Sequence, residues 1–307
     1  MSRIDFQNGF ALGLASGGVV ESGDNSRLNA LESYIDDSGM LSGTEDTLAD
    51  KVKGLIELSK SHHWFQETFL SGASSSVFTN NKTLKSVPNF DTSCITSFEG
   101  MFGGCTALER IDGLNTSNGT TFASMFSNCQ NLREVPLIDT SKGTYFNSMF
   151  ANCKSITTIP TVDVSNGINL QAMFMGCSQL VSIPELNTVN STQFSNMFSG
   201  CTSLETVEGI NLTTGGTTSN MFNGCGELKH LRVNSLILGS FSLQYSPKIT
   251  VDTAKHIICS LKDYSETSKT YTLYLHSDTW VLLDAEGNTA PHGGTWKDYV
   301  ESLGWTY

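Results

Sequence analysis

The chain has 307 residues, 16% charged and 38% hydrophobic, with a formal net charge of −12 at pH 7. By segment the charge is −6 over residues 1–76, −3 over 77–244 and −3 over 245–307, so counterion release favours neither nucleic acid nor an anionic membrane as a partner. No run of ~18 apolar residues is present to span a bilayer.

Residues 1–25 are rich in Gly and Ser and are expected to form an extended anchor or arm. The mildly apolar stretch 9–20 has no basic segment before it, Arg3 being offset by Asp5, so it does not read as a secretory signal. Residues 26–76 are expected to be helical and to cap the segment that begins at 77. Leu28, Leu31, Tyr34 and Ile35 recur at helical spacing after a cap at Asn25 or Ser26, and Leu48, Val52, Leu55 and Ile56 do so again. Two such helices are too small to stand alone, so they either pack on the neighbouring segment or join a homo-oligomeric bundle. The pair His62-His63 invites a metal, but neighbouring side chains diverge by about 100° on a helix and to opposite faces on a strand. It is read instead as part of a covering turn with Trp64, Phe65, Phe69 and Leu70.

A repeat then takes over. Met-Phe pairs stand at Met101/Phe102, Met125/Phe126, Met149/Phe150, Met173/Phe174, Met197/Phe198 and Met221/Phe222, and the spacing is 24 residues throughout. A period in this range marks a solenoid, whose units bury their apolar faces only by stacking on one another. Phe98, Met101, Phe102 and Cys105 fall at i, i+3, i+4 and i+7, which predicts one face of a short helix. Leu108 and Ile111 then lead a short strand, and Asp/Asn-Thr-Ser at 115–117 and 139–141 turns the chain toward the next coil. Pro136, Pro160 and Pro184 close the strand where no ladder donor is wanted. The Phe98 column continues through Phe122, Phe146 and Phe194, with Leu170 and Thr218 as its departures. The fold class is therefore an α/β repeat solenoid over residues 77–244, each coil a short helix plus a short strand. Residues 245–307 lose the phase and are expected to form a small α+β cap, with helices over 252–261 and 295–303 and a strand over 269–276.

Six of the eight cysteines, Cys105, Cys129, Cys153, Cys177, Cys201 and Cys225, recur once per coil at one phase. Adjacent rungs are about 4.8 Å apart, within disulfide range, but side chains on stacked rungs run parallel instead of facing one another. The reading is a structural ladder of free thiols, and with no C-x2-C spacing or His cluster it is expected to bind no metal.

Written as M-F-x-x-C-x-x-L-x-x-I-P-x-x-D-T-S-x-x-T-x-F, the unit resembles the BspA-like leucine-rich repeat proteins of bacterial surfaces. The resemblance covers residues 77–244 and implies leucine-rich-repeat-like coils and a binding role, in adhesion, more than catalysis. The opening Asp5-Phe6-Gln7-Asn8-Gly9-Phe10 with Gly17-Gly18-Val19-Val20, and the helical segment 31–59, is similar to the front ends of phage and prophage tail proteins. That second resemblance implies a virion component docked through its N-terminal segment to other virion or surface proteins. The alternative is a bacterial adhesin or interaction scaffold at the cell surface or outside the cell.

No G-x-S-x-G, H-E-x-x-H, P-loop or G-x-G-x-x-G motif is present, so neither an enzyme nor a cofactor is expected. Recognition of a host or bacterial surface protein or glycan needs a face that varies over a constant frame. Two residues per coil between the Leu and Ile columns do vary: Glu109/Arg110, Arg133/Glu134, Thr157/Thr158, Val181/Ser182, Glu205/Thr206 and Lys229/His230. They are either a recognition face or a plainly solvated one.

Overall fold

The structure, a computed structural model, describes residues 78–307 apart from 88–91, 94, 213–214 and 286–287. The arm expected over 1–25 and the helical pair and His62-His63 of 26–76 lie outside the described residues.

Backbone amides in the repeat alternate between two kinds of acceptor. In the first complete unit the N–H groups of Met101, Gly103 and Cys105 fold back to the carbonyls of Phe98, Gly100 and Phe102, at 3.3, 2.9 and 3.0 Å. The amides between them point out of the coil: those of Phe98, Gly100, Phe102 and Gly104 donate to Thr121, Ala123, Met125 and Ser127 at 2.7–2.9 Å. The next units repeat the arrangement, so Phe126 donates to Met149, Phe150 to Met173 and Phe174 to Met197.

This corrects the short helix expected from the i, i+3, i+4, i+7 spacing. An α-helix spends every interior amide on the carbonyl four residues back, whereas here the inward folds are three-residue returns and half the donors leave the coil. The segment is a run of turns, with positive φ at Gly100 (63°), Ser124 (55°), Ser148 (57°) and Ala172 (55°) in one column. Gly104 (76°), Asn128 (61°), Asn152 (60°) and Gly176 (73°) form a second such column. Each stands at the third place of a turn of the kind that demands a left-handed residue, and none can belong to a right-handed helix.

The remaining backbone is tied at the same period. Strands β1 (Ser86–Val87) and β2 (Arg110–Ile111) pair in parallel, as do β3 (Ser182–Ile183), β4 (Thr206–Ile210) and β5 (His230–Val233). Their registers, Val87 opposite Ile111 and Ile183 opposite Val207 opposite Leu231, are one repeat apart. On another side, single parallel bridges join Ser97, Thr121, Tyr145, Asn169, Gln193 and Thr217 in sequence. At the Asp/Asn-Thr-Ser turns, the amide and hydroxyl of Ser141 both donate to the Asp139 carboxylate, at 3.0 and 2.7 Å. The buried Thr140 hydroxyl reaches forward to the Asp163 carbonyl at 2.8 Å.

Stacking at this period turns single residues into columns. Phe78, Phe102, Phe126, Phe150, Phe174, Phe198 and Phe222 form a continuous ring stack with centroids 5.3–5.7 Å apart and planes within 14°, the offset geometry aromatic pairs prefer. A second column, Phe98, Phe122 and Phe146, has spacings of 5.6 Å. Gly143 makes room for it: a Cβ there would run into the Phe146 ring and lie 3.0 Å from that of Phe122. The Met, Cys and Leu positions of every complete unit are buried as well.

Beyond the repeats, β6 (Phe241–Leu243), β7 (Tyr271–Leu275) and β8 (Trp305–Thr306) make a parallel sheet, with α1 (Val251–Cys259), α2 (Ser277–Leu283) and α3 (Trp296–Ser302) in the connections. Helix α1 is capped by the Thr250 hydroxyl, and α3 opens on a reciprocal pair in which Thr295 and Asp298 each accept the other's amide. Helix α1, β7 and α3 lie where the sequence pattern places them; α2, opened by the His276 ring, and the two-residue β8 have no signal in that pattern.

Denaturant melts check both the core and the backbone. Phe150→Ala, in the middle of the ring stack, costs about 3–5 kcal/mol, while Thr218→Ala costs under ~1 kcal/mol. Ser148→Gly raises stability by about 0.5–1 kcal/mol because it relieves a left-handed serine. In a helix the same substitution would lower stability, so the sign distinguishes the two backbones.

Candidate recognition surface

The paired positions between the Leu and Ile columns sit over the strand-side ladder. Glu109 donates its amide to the Lys85 carbonyl at 2.8 Å, Arg133 to Glu109 at 3.3 Å, Val181 to Thr157 at 3.0 Å, Glu205 to Val181 at 2.8 Å and Lys229 to Glu205 at 2.9 Å. Leu108 and its equivalents turn inward beneath them and are fully buried through Leu228. With backbone and core thus committed, the intervening side chains point outward. Glu109, Arg110, Arg133, Glu134, Thr157, Thr158, Val181 and His230 are exposed, and Ser182, Glu205, Thr206 and Lys229 are half-buried.

The 24-residue period sets these twelve residues in two adjacent columns, tied by strand register from Ser182 through Thr206 to His230. One runs Glu109, Arg133, Thr157, Val181, Glu205, Lys229, and the other Arg110, Glu134, Thr158, Ser182, Thr206, His230. Three glutamates oppose two arginines and a lysine, so the carboxylates, guanidiniums and amine of the face balance in an otherwise acidic chain. Lys229 pairs with Glu205 at 2.9 Å, and Arg110 turns to Asp112 at 3.5 Å. Such exposed pairs contribute little to stability and leave their groups available to a partner. Between the charged ends lies a neutral stretch, Thr157, Thr158, Val181 and Ser182, where Val181 exposes 41% of its surface.

The six ladder cysteines are free and buried, and each thiol donates to the carbonyl of the Met-Phe phenylalanine one coil earlier: Cys129 to Phe102, Cys153 to Phe126 and Cys177 to Phe150, at 3.0–3.1 Å. Burial pushes Cys105, Cys177 and Cys225 up to about 12, and holds Cys129, Cys153 and Cys201 well above the ordinary thiol range too. A thiol that resists ionisation and points at a carbonyl is neither a nucleophile nor a metal ligand. Among the described residues no group of three His, Cys, Asp or Glu is placed to hold a metal ion.

Two features of the surface lie outside the twelve paired positions. Thr120, exposed, and Thr144, half-buried, stand in a second column at the threonine place of the repeat, each bonding by amide and hydroxyl to the residue one coil back, Thr96 and Thr120 respectively. A cavity of about 470 Å3 also opens where the repeats meet the following sheet, with Asn220, Asn223, Gln244, Tyr245 and Tyr274 in its lining. The sequence signal for the cavity is the loss of the second phenylalanine column at Thr218.

A family model described as "Mycoplasma protein of unknown function, DUF285" matches residues 73–182 and again 134–234, together more than half of the chain. No curated protein matches. Among solved structures the chain is similar to a leucine-rich repeat protein from Bacteroides ovatus, at 14% identity, over 66% of this chain and 76% of that one, with a TM-score of 0.18.

The thiol geometry gives a chemical test. In native protein at pH 8, iodoacetamide labels the exposed Cys259 while the six ladder cysteines stay unmodified by peptide mapping, and all react once the chain is unfolded. Because their folded pKa values lie above the ordinary value near 9, the linked stability is fully present below pH 9. It falls as pH rises from there toward the folded values, because only the unfolded chain ionises. A melting temperature that held steady from pH 8.5 to 10.5 would contradict the burial.

Proposed function

This chain belongs to the DUF285 family, and from that premise we propose that it is a non-enzymatic interaction scaffold of the BspA-like repeat type, a solenoid recognising its partner through the strand-side columns. One observation carries the reading: the twelve varying side chains all reach solvent, at one register, over a frame whose buried residues and hydrogen bonds repeat from coil to coil. A surface that changes while its support stays constant is how repeat proteins build extended binding faces.

The partner is a surface protein or glycan. A balanced face with a neutral centre suits a ligand without strong net charge, and it offers nothing to a polyanion. Catalysis is not part of the proposal, since the sequence carries no nucleophile or base motif. The family match begins at residue 73, so the virion address read from residues 1–60 rests on the sequence resemblance alone, and a cell-surface or extracellular address fits the repeat type better. Mass spectrometry of purified particles and of shaved cell surfaces from the source organism separates the two addresses.

The face is tested by screening the purified chain on arrays of surface proteins and glycans. Replacement of Arg133 and Glu134 by alanine, and separately Thr157→Arg, is expected to weaken the ligands found by about tenfold or more without moving the thermal midpoint by more than a degree or two. Unchanged binding in both variants would assign the columns to a solvated face.

A further inference from the structure

Each coil hands backbone donors to the coil after it, and the last coil has no successor. Phe194, Asn196, Phe198 and Gly200 donate their amides to Thr217, Ser219, Met221 and Asn223 at 2.7–2.9 Å. One repeat later the same positions are Thr218, Asn220, Phe222 and Gly224, and among the described residues their amides meet no acceptor. The apolar core is closed here, for Phe241 covers the Phe222 ring edge-on at 6.0 Å. The backbone edge is not. Thr218 reaches the Ser240 carbonyl with its hydroxyl, at 2.7 Å, and not with its amide. Phe222 is 2% exposed, and a buried N–H without a partner is rare and costly in folded proteins.

The cavity of about 470 Å3 lies against this edge, with Thr218, Asn220 and Phe222 in one wall and β6, Tyr245 and Tyr274 in the other. We propose that it takes an uncharged peptide segment of a partner protein, which adds to the open edge and accepts hydrogen bonds from the amides of Asn220 and Phe222 with alternate carbonyls. The nature of the occupant is set by the five preceding junctions, where what covers this donor row is each time backbone carbonyls of alternate residues. The lining carries no charged residue, so a charged segment would be desolvated without compensation. The side chains of Asn220, Asn223 and Gln244 make no hydrogen bond to other described residues, and are free to bond the segment's remaining polar groups. Tyr245 and Tyr274, 51% and 47% exposed, supply flat faces for its side chains. At the first junction seven residues, Thr121 through Ser127, cover the four amides, and a segment of that length covers this row. This site is separate from the strand-side columns, so it stands or falls independently of them.

The test titrates the 15N-labelled full chain with three probes: a blocked octapeptide copying residues 145–152, which sits on this donor row inside the array; a blocked octapeptide of Gly, Ser and Thr; and a neutral hexasaccharide. Either peptide is expected to shift the amide resonances of Asn220 and Phe222 and slow their hydrogen exchange. Ser219→Trp, which fills the cavity from an exposed side chain, should weaken that response by about tenfold or more. Gln244→Trp does the same from the opposite wall if the first variant folds poorly. A response to the hexasaccharide alone would overturn the proposal and make the cavity a glycan site. No response to either peptide, or one that both tryptophan variants leave intact, would also overturn it.

Discussion

The repeat part of this chain depends on how each unit divides its backbone donors. Alternate amides close turns within a coil, and the others cross to the next coil's carbonyls. That division holds successive Met-Phe segments in one register, which lets rings 5.3–5.7 Å apart stack in an unbroken column. It also obliges two positions per coil to adopt left-handed backbone, filled by Gly or Asn where the chain conforms and by Ser or Ala where it tolerates strain. Core packing and turn chemistry are therefore one constraint seen from two sides.

The columns were legible in the sequence because a fixed period aligns like residues whatever the local backbone is. Phe102, Cys105, Leu108 and Ile111 could be assigned inward from spacing alone, with Glu109 and Arg110 left between them, where a spacing of three also allows one of a pair to turn partly inward. The local conformation was harder to read. Consecutive turns and a short helix both place i, i+3, i+4 and i+7 on one side, so Phe98, Met101, Phe102 and Cys105 suit either. The distinguishing signal lay in the column Gly104, Asn128, Asn152, Gly176, where residues that favour left-handed backbone recur at one phase. Gly143 was likewise silent until the Phe122 and Phe146 rings were seen beside it.

The outward face was legible as a set of positions, whereas the cavity left only one mark, the loss of the phenylalanine column at Thr218. Its donors are ordinary backbone amides, identical in kind to those of Phe194 and Asn196, and only the absence of a following coil leaves them open. Function in such a chain is distributed in the same way. The buried letters set a frame with little chemistry of its own, down to thiols that burial holds protonated. In the proposed reading, recognition falls to side chains between the columns and to the place where the stack ends.

The alternating donor pattern is the central claim, and scalar coupling across hydrogen bonds measures it directly. In 13C,15N-labelled protein the Phe126 amide nitrogen should couple to the carbonyl carbon of Met149, one coil ahead, as its 2.9 Å bond requires. Coupling of that nitrogen to the Phe122 carbonyl, four residues back, would mark a helix and contradict the account.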